Sequence, residues 1–192
     1  LRSIDAMTDP QGDDGAWPYW KARAQMALAR GDVDRAAARA GFEKLAANTG
    51  RFGFYEKLAR EELGQQSTTP AGPAPLTAPE KEGARRHMGL NRALLAIALG
   101  LRSEGTREWN YWTNLHQAGG MNDRELYAAA DFACQRQVWD RCINASERTK
   151  GFMDFSQRFP FPLRDAVVNQ SRSIGLDPAY VYGLIRQESR FV

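Results

Sequence analysis

Apolar residues recur along this chain at spacings of three and four, and no convincing period-two run of β-branched residues occurs. A chain patterned in this way folds as helices. Alanine, leucine and arginine dominate these segments, and all three are strong helix formers. Of 192 residues, 43% are hydrophobic and 26% charged, an ordinary globular composition. That supplies core for one or two small domains. The longest apolar-rich run, "ALLAIALGL" (93–101), is bracketed by arginines. It is about half the roughly 20 residues of a membrane span and reads as a buried helix.

The first unit is "WPYWKARAQMALARGDVDRAAARAGFEKLAANT". Trp20, Ala24, Ala27 and Leu28 recur on one helical face, Gly31 breaks the pattern, and Asp32 is placed to cap a second helix. That helix is expected to bury Ala36, Ala37, Ala40, Phe42 and Leu45. The pattern is an antiparallel helix pair with small residues where the helices touch. "FGFYEKLAREELG" (52–64) adds a short helix ended by Gly64. Residues 65–80, "QQSTTPAGPAPLTAPE", lose the periodicity and gain prolines, as a linker or extended crossing segment does.

Helix pairs then return. "LNRALLAIALGLRSEGTREWNYWTNL" reads as a helix, a break at Gly105, and a helix carrying Trp109, Trp112 and Leu115. In "NDRELYAAADFACQRQVWDRCINASERT", Asn122 or Asp123 caps a helix lined by Leu126, Ala129, Ala130 and Ala133. Its break falls at Gln135–Gln137. Breaks about 31 residues apart fit a helical-repeat array, a curved superhelical stack of helix pairs. The aromatics Trp20, Phe42, Trp109, Trp112, Phe132 and Trp139 are expected in its core.

"RFPFPLRDAVVNQSRSIGLD" (158–177) opens a new segment. Pro160 and Pro162 force an extended start. A helix follows with Leu163, Ala166, Val167 and Gln170 on one side, and Gly175 stops it. Asp177 caps the last helix, with Pro178 in its first position.

That last helix poses the functional question. Val181, Leu184 and Ile185 form an apolar stripe, and Glu188 continues it, while Arg186 and Arg190 are expected to point away. A carboxylate on the core side is costly unless paired, protonated or lining a cleft. The protonated alternative is what a general acid requires.

"YVYGLIRQESRF" resembles the Ile-Arg-Gln-Glu-Ser motif that opens the catalytic domain of the soluble lytic transglycosylases, bacterial peptidoglycan-cleaving enzymes of lysozyme-like fold. The likeness extends upstream in order. "FMDFSQRFPFPLRDAV" resembles the segment leading into that domain. "PYWKARAQMALARGDVDRAAARAGFEKLAANTGRFGFYEKLA" resembles the end of the family's superhelical domain, and "WNYWTNLHQAGGMNDRELYAAADFACQRQVWDRCINAS" its linker domain.

The resemblance implies an all-α chain. Residues 1–64 would end a superhelical domain, 65–80 form a Pro-rich linker, 81–157 a helical linker domain, and 158–192 the truncated start of a lysozyme-like domain. Glu188 is then the catalytic carboxylate and Ser189 a residue that holds substrate or the glutamate. The reaction is cleavage of the bond between N-acetylmuramic acid and N-acetylglucosamine, with a 1,6-anhydro product. No cofactor or metal is implied. The partners are peptidoglycan glycan strands, with cell-wall synthesis proteins as further candidates, and the compartment is the periplasm.

The family continues beyond this motif, so the chain as given is expected to be an inactive fragment. Leu1 is not an initiator methionine, and "LRSIDAMTDPQGDD" lacks the apolar region of a signal peptide. The alternative reading is a helical-repeat scaffold that binds without catalysis. The net charge of +3 is spread over both signs and points to no nucleic-acid module. Cys134 and Cys142 have no metal-site spacing with His87 or His116. They are either buried thiols or, with a turn between them, a disulfide, which the periplasm would permit.

Overall fold

The computed structural model describes residues 2–5, 15–47, 53–66, 69, 71–113 and 120–192. Every regular element among them is an α-helix, as the periodicity predicts. The chain divides into two compact units, Leu1–Thr69 and Pro70–Val192.

In the first unit α1 (Arg2–Asp5) precedes α2 (Ala16–Leu28), α3 (Asp32–Ala46) and α4 (Phe54–Glu62). Its core joins Tyr19, Ala22, Phe42, Leu45, Ala46 and Ala59. Phe42 is 1% exposed. Burying a ring of this size stabilises by about 1.5–3 kcal/mol. The α2–α3 break falls at Gly31, but Asp32 does not cap: Gly31 takes the cap position without a side-chain bond. Asp34 instead accepts from the Arg30 N–H at 3.0 Å.

The buried faces differ from expectation. Trp20 is 51% exposed, and its neighbour Tyr19 turns inward with Ala22. Ala36, Ala37 and Ala40 are exposed, and Ala38 is buried beside Phe42. One residue is a rotation of about 100° on a helix, and a run such as "AAARA" offers no contrast to fix that angle. Partners on both neighbouring helices hold Tyr19 inward: its ring lies 5.8 Å from that of Phe42 in α3, and its hydroxyl donates to Glu62 of α4 at 3.2 Å.

The second unit contains α5 (Ala78–Arg86), α6 (Met88–Ala98), α7 (Arg102–Thr113), α8 (Asp123–Gln135), α9 (Trp139–Glu147), α10 (Phe155–Arg158), α11 (Arg164–Ser173) and α12 (Pro178–Ser189). Its core joins Leu90, Leu94, Trp109, Ala129, Phe132, Ala133 and Cys142 across α6 to α9. Of the two cap candidates Asn122 caps α8, with Glu125 closing a capping box, and the α8–α9 break falls at Gln137, whose φ is 58°, within the expected stretch.

The α6–α7 break does not fall at Gly105. It lies at Gly100, whose φ is +85°, and Gly105 sits buried inside α7. A Cβ there would stand 2.5 Å from the Ala93 carbonyl oxygen, so this glycine permits close helix contact rather than a turn. Trp112 is half exposed at the surface, while Trp109 and Phe132 are in the core and Trp139 is half-buried. Leu115 and His116 lie outside the described residues.

Cys134 and Cys142 form a disulfide between the end of α8 and the buried side of α9, with Cα atoms 5.1 Å apart. Thr77, at the end of the proline-rich stretch, caps α5 through a capping box with Glu80. Arg124 of α8 grips the same Glu80 carboxylate at 2.7 and 2.8 Å.

Candidate active site

The approach to α12 is built on polar anchors. Asp154 caps α10, accepting from the Gln157 N–H at 2.9 Å, and it also accepts from the Tyr127 hydroxyl of α8 at 2.9 Å. Burial, followed by the hydrogen bond to Asp154, pushes the Tyr127 hydroxyl up to about 12. Burial works against ionising Asp154, yet the donors around it, Ser156 first among them, hold its carboxyl below the usual carboxylate value. Arg158 then donates from Nε to the Ser146 carbonyl at 3.1 Å and from Nη2 to the Thr149 carbonyl at 3.1 Å. These bonds tie the segment to the C-terminal end of α9.

Leu163 starts α11 from the left-handed region, with φ 53°, and is exposed, as are Ala166 and Gln170. The expected buried row therefore reduces to Val167, which is half-buried, and Ser171 takes the buried position. Gly175, with φ +73°, ends the segment. Asp177 accepts from the Ala179 N–H at 2.8 Å, and Pro178 opens α12.

Tyr182 is the buried residue of α12, 6% exposed. Its hydroxyl donates to the Pro162 carbonyl at 2.8 Å, and its ring meets Phe161 edge-on at 5.0 Å. One turn on, Arg186 faces the same way. It donates from Nε to the Arg158 carbonyl at 2.7 Å and from Nη2 to Glu147 at 2.6 Å. Its guanidinium lies 4.6 Å from the Phe159 ring centroid. Arg190 meets the other Glu147 oxygen at 3.2 Å.

This rotates the expected face: Val181 and Ile185 of the apolar stripe are half-buried, but Tyr182 and Arg186 lead inward. Arg186 does not point away; it is the inward residue, with its side chain 18% exposed. Leu184 is 51% exposed, and Glu188, expected on the core side, is exposed with it. The reason lies in what α12 packs against. The opposing surface offers a carbonyl, a carboxylate and an aromatic ring, which a guanidinium satisfies and a leucine does not.

Ser189 follows Glu188 and serves the helix end. Its hydroxyl donates to the Ile185 carbonyl at 3.0 Å and accepts from the Phe191 N–H at 3.1 Å. Arg190 closes the helix at φ 51°.

Sequence reasoning missed Glu147. A signal was present: an acid in the last turn of a helix opposes the macrodipole and calls for a cationic partner. A groove of about 400 Å³ lies among Glu80, His87, Leu90, Met121 and Glu125, and no residue of α12 lines it. Among the described residues no cluster of metal-ligating side chains occurs, and no helix is long and apolar enough to cross a membrane.

No protein-family model and no curated protein sequence matches this chain. Solved structures do match it. The lytic transglycosylase Slt of Pseudomonas aeruginosa, in an inactive mutant with one glutamate changed to glutamine, matches with a TM-score of 0.71 at 24% identity. That match covers 100% of this chain and 28% of the other. The 70-kDa soluble lytic transglycosylase in complex with bulgecin A matches with a TM-score of 0.72 at 18% identity, covering 97% and 28%. The chain thus spans 28% of the length of these proteins, and its helices follow the all-α fold of a stretch of the soluble lytic transglycosylases.

Proposed function

We propose that this chain belongs to a peptidoglycan lytic transglycosylase and that Glu188 is its acid and base. The observation carrying the reading is the fold match along 100% of the chain to a lytic transglycosylase whose inactive mutant replaces a glutamate by glutamine. Glu188 precedes Ser189 in the "IRQES" motif and lies on the outward face of α12, opposite the side that packs.

In the proposed reaction, protonated Glu188 gives its proton to the glycosidic oxygen between N-acetylmuramic acid and N-acetylglucosamine, and the bond from C1 to that oxygen breaks. The carboxylate then takes the proton of the muramoyl C6 hydroxyl as its oxygen bonds to C1. The product is a 1,6-anhydro sugar, and no water is consumed. A retaining glycosidase normally carries a second carboxylate about 5–5.5 Å from the first. A nucleophile within the sugar removes that need. Ser189 helps hold the glutamate's turn.

The site of action is the periplasm and the partner is the glycan strand. Residues 1–192 alone are a helical scaffold without turnover, because Glu188 is exposed. A general acid needs a site that excludes water and positions the sugar.

The test is digestion of purified sacculi by the full-length protein, with mass spectrometry of the released muropeptides. Products lighter by one water than hydrolysed muropeptides, with no reducing muramic end, support the reading. Reducing-end products, or no release, overturn it.

A further inference from the structure

Glu188 stands between Arg186 and Arg190 in the last turn of α12. Residues four apart share a helical face, and the residue midway between them lies on the opposite one. The two guanidiniums therefore reach to α9 on one side while the carboxylate is presented on the other.

One carboxylate receives both arginines. Glu147 takes Arg186 on one oxygen at 2.6 Å and Arg190 on the other at 3.2 Å. Arg186 is held further by the Arg158 carbonyl and the Phe159 ring. Arg158 is a third guanidinium in this cluster, and burial lowers its pKa while Glu147 acts to raise it. Apolar packing on this turn is partial: Tyr182, the buried residue of α12, lies one turn earlier, Ile185 is half-buried, and Leu184 is exposed.

We infer that Glu147 is a positioning residue for Glu188, fixing the last turn of α12 through Arg186 and Arg190. The inference rests on the proposed role of Glu188. Glu147 faces away from the side on which Glu188 would meet a sugar, so it acts on the placement of the acid rather than on glycan binding. Placement errors of about 1 Å can cost a hundredfold in rate. Without Glu147, Arg186 and Arg190 lose their shared carboxylate while Arg158 stays beside Arg186, and the turn that carries Glu188 moves.

The test uses the full-length protein on sacculi, with kcat and KM measured for Glu147→Gln, Glu147→Asp and Glu188→Gln. Glu147→Gln is expected to lower kcat about tenfold with KM within about twofold, the pattern of a lost transition-state interaction. Glu147→Asp restores part of that loss. Wild-type kcat in Glu147→Gln, with Glu188→Gln inactive, overturns the positioning role and leaves the acid in place. Turnover by Glu188→Gln removes the acid, and the positioning role goes with it. A loss that merely tracks the unfolded fraction on melting, with no relief from Glu147→Asp, makes Glu147 structural and also overturns the inference. If Glu147→Gln does not fold, Arg190→Met takes its place: a smaller kcat loss at constant KM is expected, and wild-type kcat contradicts the role.

Discussion

Cys134, at the end of α8, and Cys142, in α9, are joined by a disulfide that spans the turn at Gln137. The bond closes a loop with a sequence separation of eight, in a region already packed by Phe132 and Ala133. On a loop-entropy account, a cross-link this short stabilises by about 2–3 kcal/mol. The chain contains two cysteines, so titration of the unfolded, unreduced protein is expected to find no free thiol. The Cys134→Ala/Cys142→Ala pair should melt several degrees lower. Two titratable thiols would contradict the bond.

Gly105→Ala sets two effects against each other. Alanine in a helix interior is favoured over glycine by about 1 kcal/mol. The new methyl would stand 2.5 Å from the Ala93 carbonyl oxygen and 3.0 Å from the Ile97 nitrogen. Both are backbone atoms and cannot rotate away, so α6 and α7 must separate. Overpacking of this kind costs about 1–3 kcal/mol, and the variant is expected to be destabilised in chemical denaturation. A stabilised variant would show that the contact relaxes freely.

Glu80 gives the second unit a sensitivity to acid. Its hydrogen bonds to Arg124, then to Thr77, lower its carboxyl from 4.5 to about 2. A carboxyl depressed in the folded state stabilises above the unfolded value, and the contribution is lost as the pH falls through the folded one. The window here runs from about 4.5 down to about 2. Glu80→Gln should melt lower than wild type at pH 7, and the two should converge as the pH falls through that window. Melting curves that stay parallel would contradict it.

Most caps and breaks were legible in the sequence because each is local, Asp32 and Gly105 being the exceptions. Asn122, Gln137, Gly175 and the Asp177–Pro178 pair act on residues within a turn of themselves. Gly31 marked its break for the same reason. The faces of the alanine-rich helices were not legible, since Tyr19 turns inward against Phe42 of α3 and Tyr55 of α4, partners distant in sequence. Gly105 was misread because a glycine serves a turn and a close helix contact equally well, and only the position of α6 decides. The orientation of α12 was hidden most deeply. Arg186 is inward because of Glu147, 39 residues earlier, and no periodicity within α12 records that partner.

Residues 1–192 alone are expected to release no anhydro-muropeptides from sacculi while melting cooperatively. Glu188 is exposed, and the groove among α5, α6 and α8 shares no residue with α12. Clear turnover by this chain would show that the exposed turn suffices, and the scaffold description of the isolated chain would fall.

The most direct test of the account is Glu188→Gln in the full-length protein, read by the 1,6-anhydro products released from sacculi and by the thermal melt. The side chain is exposed, so the melt is expected to stay nearly unchanged. Anhydro product is expected to vanish, because glutamine can neither give nor take the proton. Retained product formation would remove Glu188 from the reaction and contradict the account.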